Sequence, residues 1–121
     1  MSNDEVCELL CLDAPKAMAL RRGLPDPGAL EHAAEEAKAL SDPTRLALAV
    51  AVRGAGGEGC GCDMAFVIGR PDKLVSHPLR LLRGAGLARS RKDGRMVLYD
   101  LTGRGRELLT AVMVPAVPVA S

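Results

Sequence analysis

Apolar positions recur mostly at helical spacing along this chain, with one alternating stretch near its C-terminal end. Leu30, Ala33, Ala34, Ala37 and Leu40 form a stripe opposite Glu31, Glu35 and Lys38, which predicts a helix over 29–40. Ser41-Asp42-Pro43 then starts a second helix, with Asp42 as cap and Pro43 as first helical residue. It runs to 53 and buries Leu46, Leu48, Val50 and Val52 on most sides, and 54–59 reads as a flexible loop. Residues 62–68 form a short apolar helix stopped by Gly69. Pro71-Asp72 opens a helix to 85 whose inner face is Val75, Leu79 and Leu82. Lys73, Ser76, Arg80 and Arg83 occupy another face, with His77 beside it. Stretches 87–92 and 95–101 flank Asp93-Gly94, a hairpin signal. A last helix over 102–113 carries Leu108, Leu109, Val112 and Met113, and Pro115 ends it. Upstream, Asp13 caps a short helix over 14–22 with Pro15 in its first turn, before Gly23, Pro25, Pro27 and Gly28 break the chain.

Two short helices joined by a tight turn and followed at once by a basic hairpin describe a winged helix-turn-helix. The fold class is α+β, mostly helical. Lys73, Ser76, His77 and Arg80 are the candidate DNA contacts of the second helix. Arg89, Arg91, Lys92 and Arg95 are the candidate phosphate contacts of the wing. The division that follows is an N-terminal segment 1–28, a DNA-binding and dimerisation domain 29–114, and a tail 115–121. Pro78 conflicts with this layout, because a proline inside a helix removes a backbone bond and kinks or weakens it.

Composition narrows the picture. A chain of 121 residues fits one domain, and with 2% aromatics the core is built from Leu, Val and Ala. A net charge of +1 means that a basic surface arises from the distribution of charge, not its total. No apolar run approaches the roughly 18 residues of a membrane span, and MSNDEVCELL lacks the order of a signal peptide. The chain therefore reads as cytoplasmic, with no membrane partner.

Cysteines supply the other chemistry. They fall in two close pairs, Cys7-x-x-x-Cys11 and Cys60-x-Cys62. In a reducing compartment such pairs are metal ligands or redox groups before they are disulfides, and buried small hydrophobes are the bland alternative. Thiolates select soft or borderline ions: Cd, Pb and Zn, with As(III) as a trivalent competitor. Cys60 and Cys62 open a helix, whose dipole is expected to lower their pKa. A thiol redox switch is a second reading. It lacks a Cys-x-x-Cys motif and a His/Asp pair to serve a nucleophile. His32 reads as an ordinary surface histidine.

LSDPTRLALAVAV, CGCDMAFVIG and VSHPLRLLRGAGLARSRKDGRMVLYDL together resemble the ArsR/SmtB winged-helix metal-sensing repressors. The leading CELLCLD, taken with the Cys-x-Cys, resembles the CadC-like branch, which answers Cd, Pb and Zn. The resemblance implies no enzyme. It implies a homodimer, held by the first long helix and the last, that binds operator double-stranded DNA when metal-free and releases it when metal binds. It implies that Cys7, Cys11, Cys60 and Cys62 are the ligands, with the two pairs drawn from different subunits. An arsenite or antimonite sensor of the same fold, using the Cys-x-Cys pair, is the alternative within the family. A second metal site that some relatives hold on the last helix falls here on Gly103, Gly105, Ala116 and Val119, which offer no side-chain ligand. Where the family has a second histidine after His77, this chain has Pro78.

Overall fold

The computed structural model of this chain describes residues 13–113. It divides into two units, with the boundary between Glu31 and His32. In the first unit, α1 spans Ala14–Gly23. The Asp13 carboxylate accepts the Lys16 N–H at 3.1 Å, and Pro15 needs no partner in the first turn. None of its residues is buried. Helix α2 spans Pro27–Ala39 and so begins at Pro27, earlier than the sequence reading places it. Asp26 explains the difference: its carboxylate takes the Ala29 N–H at 2.9 Å, and the fixed φ of Pro27 suits the first helical position.

The second unit holds the rest of α2, then α3 (Pro43–Gly54), β1 (Gly59–Cys60), α4 (Gly61–Ile68), a 3-10 turn (Asp72–Leu74), α5 (Ser76–Gly84), β2 (Ala88–Asp93), β3 (Met96–Leu101) and α6 (Gly103–Val112). Asp42 caps α3 through the Arg45 N–H at 3.0 Å, with Pro43 in the first turn. The Arg45 side chain turns back, donating to the Ala39 carbonyl at 2.8 Å and the Lys38 carbonyl at 3.1 Å. It thereby satisfies carbonyls that the end of α2 leaves open and fixes the turn into α3. Leu48 and Val52 of α3 meet Met64 of α4, Leu79 and Leu82 of α5, Leu101 of β3 and Leu109 of α6 in one buried aliphatic core. Leu46 and Val50 are only half-buried.

Helix α4 ends as its glycine requires. Gly69 takes a left-handed φ of 71°, the Arg70 N–H reaches the Ala65 carbonyl at 3.0 Å, and the Gly69 N–H reaches Phe66 at 3.1 Å. The next helix is shorter than its sequence pattern. The apolar spacing runs through 71–85, but Asp72–Leu74 is a 3-10 turn and α5 starts at Ser76. Pro78 is then the third helical residue, where the backbone N–H has no intrahelical acceptor. The expected kink or weakening is corrected accordingly: Pro78 marks the helix start and removes no bond from α5.

The hairpin closes between Asp93 and Met96 over Gly94 and Arg95. Gly94 has φ 64°, and among the described residues none other than glycine has positive φ. Glycine first in a two-residue loop is the type II′ arrangement, one residue along from the expected Asp-Gly centre. A further correction concerns 54–59, which is not all loop. Gly59 pairs with Tyr99 and Cys60 with Leu98, so the sheet has three strands in the order β1-β3-β2.

Thr102 and Arg104 help to hold α6. Thr102 caps it, with Oγ accepting the Gly105 N–H at 3.0 Å and donating to the Gly86 carbonyl at 2.7 Å. Arg104 grips Glu36 of α2 through Nε and Nη2 at 3.0–3.1 Å. Glu36 is 5% exposed, the one buried charged residue among those described, with His32 Nε2 3.6 Å away. The hydrogen bond from Arg104 lowers the Glu36 pKa from its ordinary 4.5, against the opposing effect of burial. A depressed carboxylate stabilises the fold above the unfolded pKa and loses that contribution as pH falls through the folded value. Glu36→Gln is therefore expected to melt below the parent at pH 7, and the gap should shrink as pH drops below 4.5. Thermal melts from pH 7 down to pH 3 check this, and a gap that widens in acid would contradict it.

Candidate nucleic-acid interface and metal centre

Helix α5 presents one face inward and one outward. Val75, just before it, and Leu79 and Leu82 within it are 2%, 1% and 0% exposed. That leaves His77, Arg80 and Arg83 exposed and Ser76 half-buried. Lys73, expected on the same helix, is exposed on the preceding 3-10 turn. Arg83 Nη1 donates to Ser90 Oγ at 2.9 Å and ties α5 to β2.

The wing cations divide into two classes. Arg89 pairs with Asp100 at 3.1 Å, and Arg106 holds the other oxygen of that carboxylate at 2.8 Å. Arg91 forms a bidentate pair with Glu58, Nε to Oε2 at 2.5 Å and Nη2 to Oε1 at 2.6 Å. The hydrogen bond and charge of Arg91 hold the Glu58 carboxyl below its ordinary value, and Glu58 raises the Arg91 pKa in return. Lys92 and Arg95, at the tip, are exposed and have no ion pair among the described residues. A cation without an ion pair gives up none on meeting phosphate. Neutralising Lys92 and Arg95 together is expected to weaken binding to all DNA sequences alike. It should also flatten the slope of log K against log salt by about 2, near 0.9 per phosphate lost. Arg89→Ala should flatten it less, since Asp100 already screens that charge. Anisotropy titrations across a salt series measure both slopes.

Cys60 ends β1 and stands at the N-cap of α4, and Cys62 follows in its first turn. Both are free thiols, Cys60 half-buried and Cys62 exposed. They share the wall of a cavity of about 220 Å³ with Asp72 of the 3-10 turn, Arg95 of the wing turn and Tyr99 of β3. The structure reverses the expected effect on Cys62. Its pKa is raised, first by the hydrogen bond and charge of Cys60 and then by the charge of Asp72.

Among the described residues, no group of three or more His, Cys, Asp or Glu is placed to hold a metal ion. Cys60 and Cys62 are two candidate donors, and Cys7 and Cys11 lie outside the described residues. The donors present suit a thiophilic ion: two close soft sulfurs reachable from solvent. One of the empty positions on α6 is explained. Gly105 lies against backbone, where a Cβ would stand 2.0 Å from the Leu87 carbonyl oxygen, so no liganding side chain fits. Gly103 has open space but no side chain, and Ala116 and Val119 lie outside the described residues. The sequence reading missed Glu58, Asp72 and Asp100. Each is a lone carboxylate whose partner is distant in the chain or across a turn, and no local spacing announces it.

No protein-family profile matches the chain. It is 36% identical over 97 residues to a cadmium resistance transcriptional regulatory protein, a CadC homolog of Staphylococcus aureus, covering 80% of this chain and 78% of that one. It is 37% identical over 84 residues to an arsenical resistance operon repressor of Halobacterium salinarum, covering 69% and 65%. Among solved structures, the homodimeric winged helix-turn-helix DNA-binding domain of a Mycobacterium bovis regulator superposes with a TM-score of 0.65. That match is 28% identical and covers 76% of this chain and 86% of that one. No helix among the described residues is long and apolar enough to cross a membrane.

Proposed function

Because this chain belongs to the ArsR/SmtB family of winged-helix transcriptional regulators, and is a regulator rather than an enzyme, we propose that it is a repressor relieved by a thiophilic metal ion. The metal-free homodimer binds operator DNA through Ser76, His77 and Arg80 of α5, Lys73 before it, and the wing residues Arg89, Arg91, Lys92 and Arg95. Capture of Cd, Pb or Zn by Cys60 and Cys62, completed by Cys7 and Cys11 of the other subunit, releases the DNA. The observation that carries this reading is the position of the thiol pair: Cys60 sits on the strand that extends the wing sheet, and Cys62 sits on the helix before α5. The dimer reading is supported by small residues left exposed on α2, Ala33, Ala34 and Ala37, and by exposed Val112 on α6 and Met113 just after it.

Release follows from linkage, because an ion that binds the DNA-free conformation better must weaken DNA binding by the same factor. For typical couplings that factor is about 5–150. The test uses an operator duplex selected from random DNA by the metal-free protein, titrated with Cd, Pb, Zn and arsenite salts under reducing conditions. Release by a divalent ion with thiols intact supports the reading. Release only on oxidation would replace it with a redox switch. Release by arsenite alone would favour the arsenic-sensing alternative, which the likeness to the Halobacterium salinarum repressor also supports.

A further inference from the structure

Cys60, Leu98 and Arg91 lie in one row across the three strands: Cys60 pairs with Leu98 of β3, and Leu98 pairs with Arg91 of β2. Glu58, two residues before Cys60, reaches over the same row to clamp Arg91 with both carboxylate oxygens. One thiol of the pair and one cation of the wing are therefore joined twice, by the strand ladder and by an ion pair formed across 33 residues of chain. We propose that Glu58 is a positioning residue that aims Arg91 at DNA in the metal-free protein and carries the state of the thiol pair to the wing.

The geometry allows both roles. A guanidinium is a rigid fork, and fixing Nε and Nη2 on a carboxylate sets its plane while its remaining N–H groups stay available to a phosphate. The Arg91 side chain is 56% exposed, so those donors face solvent. Bidentate pairing adds direction that a single contact lacks. The strand that carries Glu58 into the sheet is only two residues long, with Cys60 as its last residue. When Cys60 is drawn toward an ion, that short strand must shift against β3, and Glu58 and the Arg91 fork shift with it. No new bond is needed, only a displacement of the clamp.

This inference rests on the repressor reading, and its test keeps the two apart. The parent, Glu58→Gln, Arg91→Ala and the double variant are each titrated with the selected operator duplex, with and without cadmium chloride. Sulfur-to-metal absorption reports metal capture in parallel. Glu58→Gln is expected to capture cadmium as the parent does, within about twofold, while cadmium-dependent loss of operator affinity falls at least fivefold. The double variant should match the more affected single variant, because both substitutions break one connection. Glu58→Asp, which keeps the charge, should restore part of the response, and matched thermal melts exclude a folding defect. A parental cadmium response in Glu58→Gln, or independent and additive effects of the two substitutions, would overturn the inference while leaving the repressor reading intact. A parent that ignores every ion would overturn the repressor reading and this inference with it.

Discussion

Gly105→Ala is expected to remove a large part of the stability of the second unit, about 3 kcal/mol, by the overpacking of a site that cannot relax. The added Cβ would lie 2.0 Å from the Leu87 carbonyl oxygen, 2.9 Å from its carbon and 3.1 Å from its Cα. All three are backbone atoms, and the same carbonyl accepts the Thr102 N–H at 3.0 Å. Accommodating the methyl group must push α6 off the strand entry or break that bond. The helix propensity gained by replacing glycine, at most about 1 kcal/mol, does not offset this. Gly103, two residues earlier on α6, is the internal control. Nothing lies within 4 Å of a Cβ there, so Gly103→Ala should be neutral or stabilise by a few tenths of a kcal/mol. Urea unfolding measures both as shifts in midpoint at constant slope. Equal midpoints for the two variants would mean that α6 does not approach Leu87 this closely.

The second large effect concerns the cysteines. Cys60→Ser or Cys62→Ser is expected to abolish both tight metal capture and operator release, because each removes one of the sulfurs that adjoin the DNA-reading elements. Cys11→Ser should leave a three-thiolate set that still takes Pb or As(III), which tolerate fewer sulfurs than tetrahedral Cd or Zn. Cys7→Ser should fall between these outcomes. Sulfur-to-metal absorption titrated beside operator release, for each variant, reads both quantities at once. If Cys60→Ser still released DNA on adding cadmium while Cys11→Ser did not, the order of importance proposed for the two pairs would be reversed.

What could be read from the sequence follows the range of the interactions involved. The caps at Asp13 and Asp42 and the glycine stop at Gly69 were legible, since each is a bond between neighbours three to five residues apart. The inner face of α5 was legible for the same reason: Val75, Leu79 and Leu82 keep a helical spacing. Its start was not, because that spacing continues unbroken through the 3-10 turn. Pro78 held the missing information, as proline is at ease in a first turn and costly beyond it. β1 was hidden because two residues cannot display a period, and its pairing is decided by Tyr99 and Leu98 far along the chain. The same distance concealed which wing cations are already paired. Arg89, Arg91, Lys92 and Arg95 look alike in sequence, and only Glu58 and Asp100 tell them apart.

The brevity of β1 has a kinetic consequence. An edge strand of two residues is held by few hydrogen bonds, so it should open by local fluctuation far more often than the β2–β3 ladder, which pairs six residues on each strand. Amide hydrogens at Gly59 and Cys60 should accordingly exchange with solvent orders of magnitude faster than those of Tyr99 or Leu101. An incoming ion would then meet the first sulfur in a piece of sheet that is already opening and closing, and capture would need no unfolding of the core around Leu48 and Leu82.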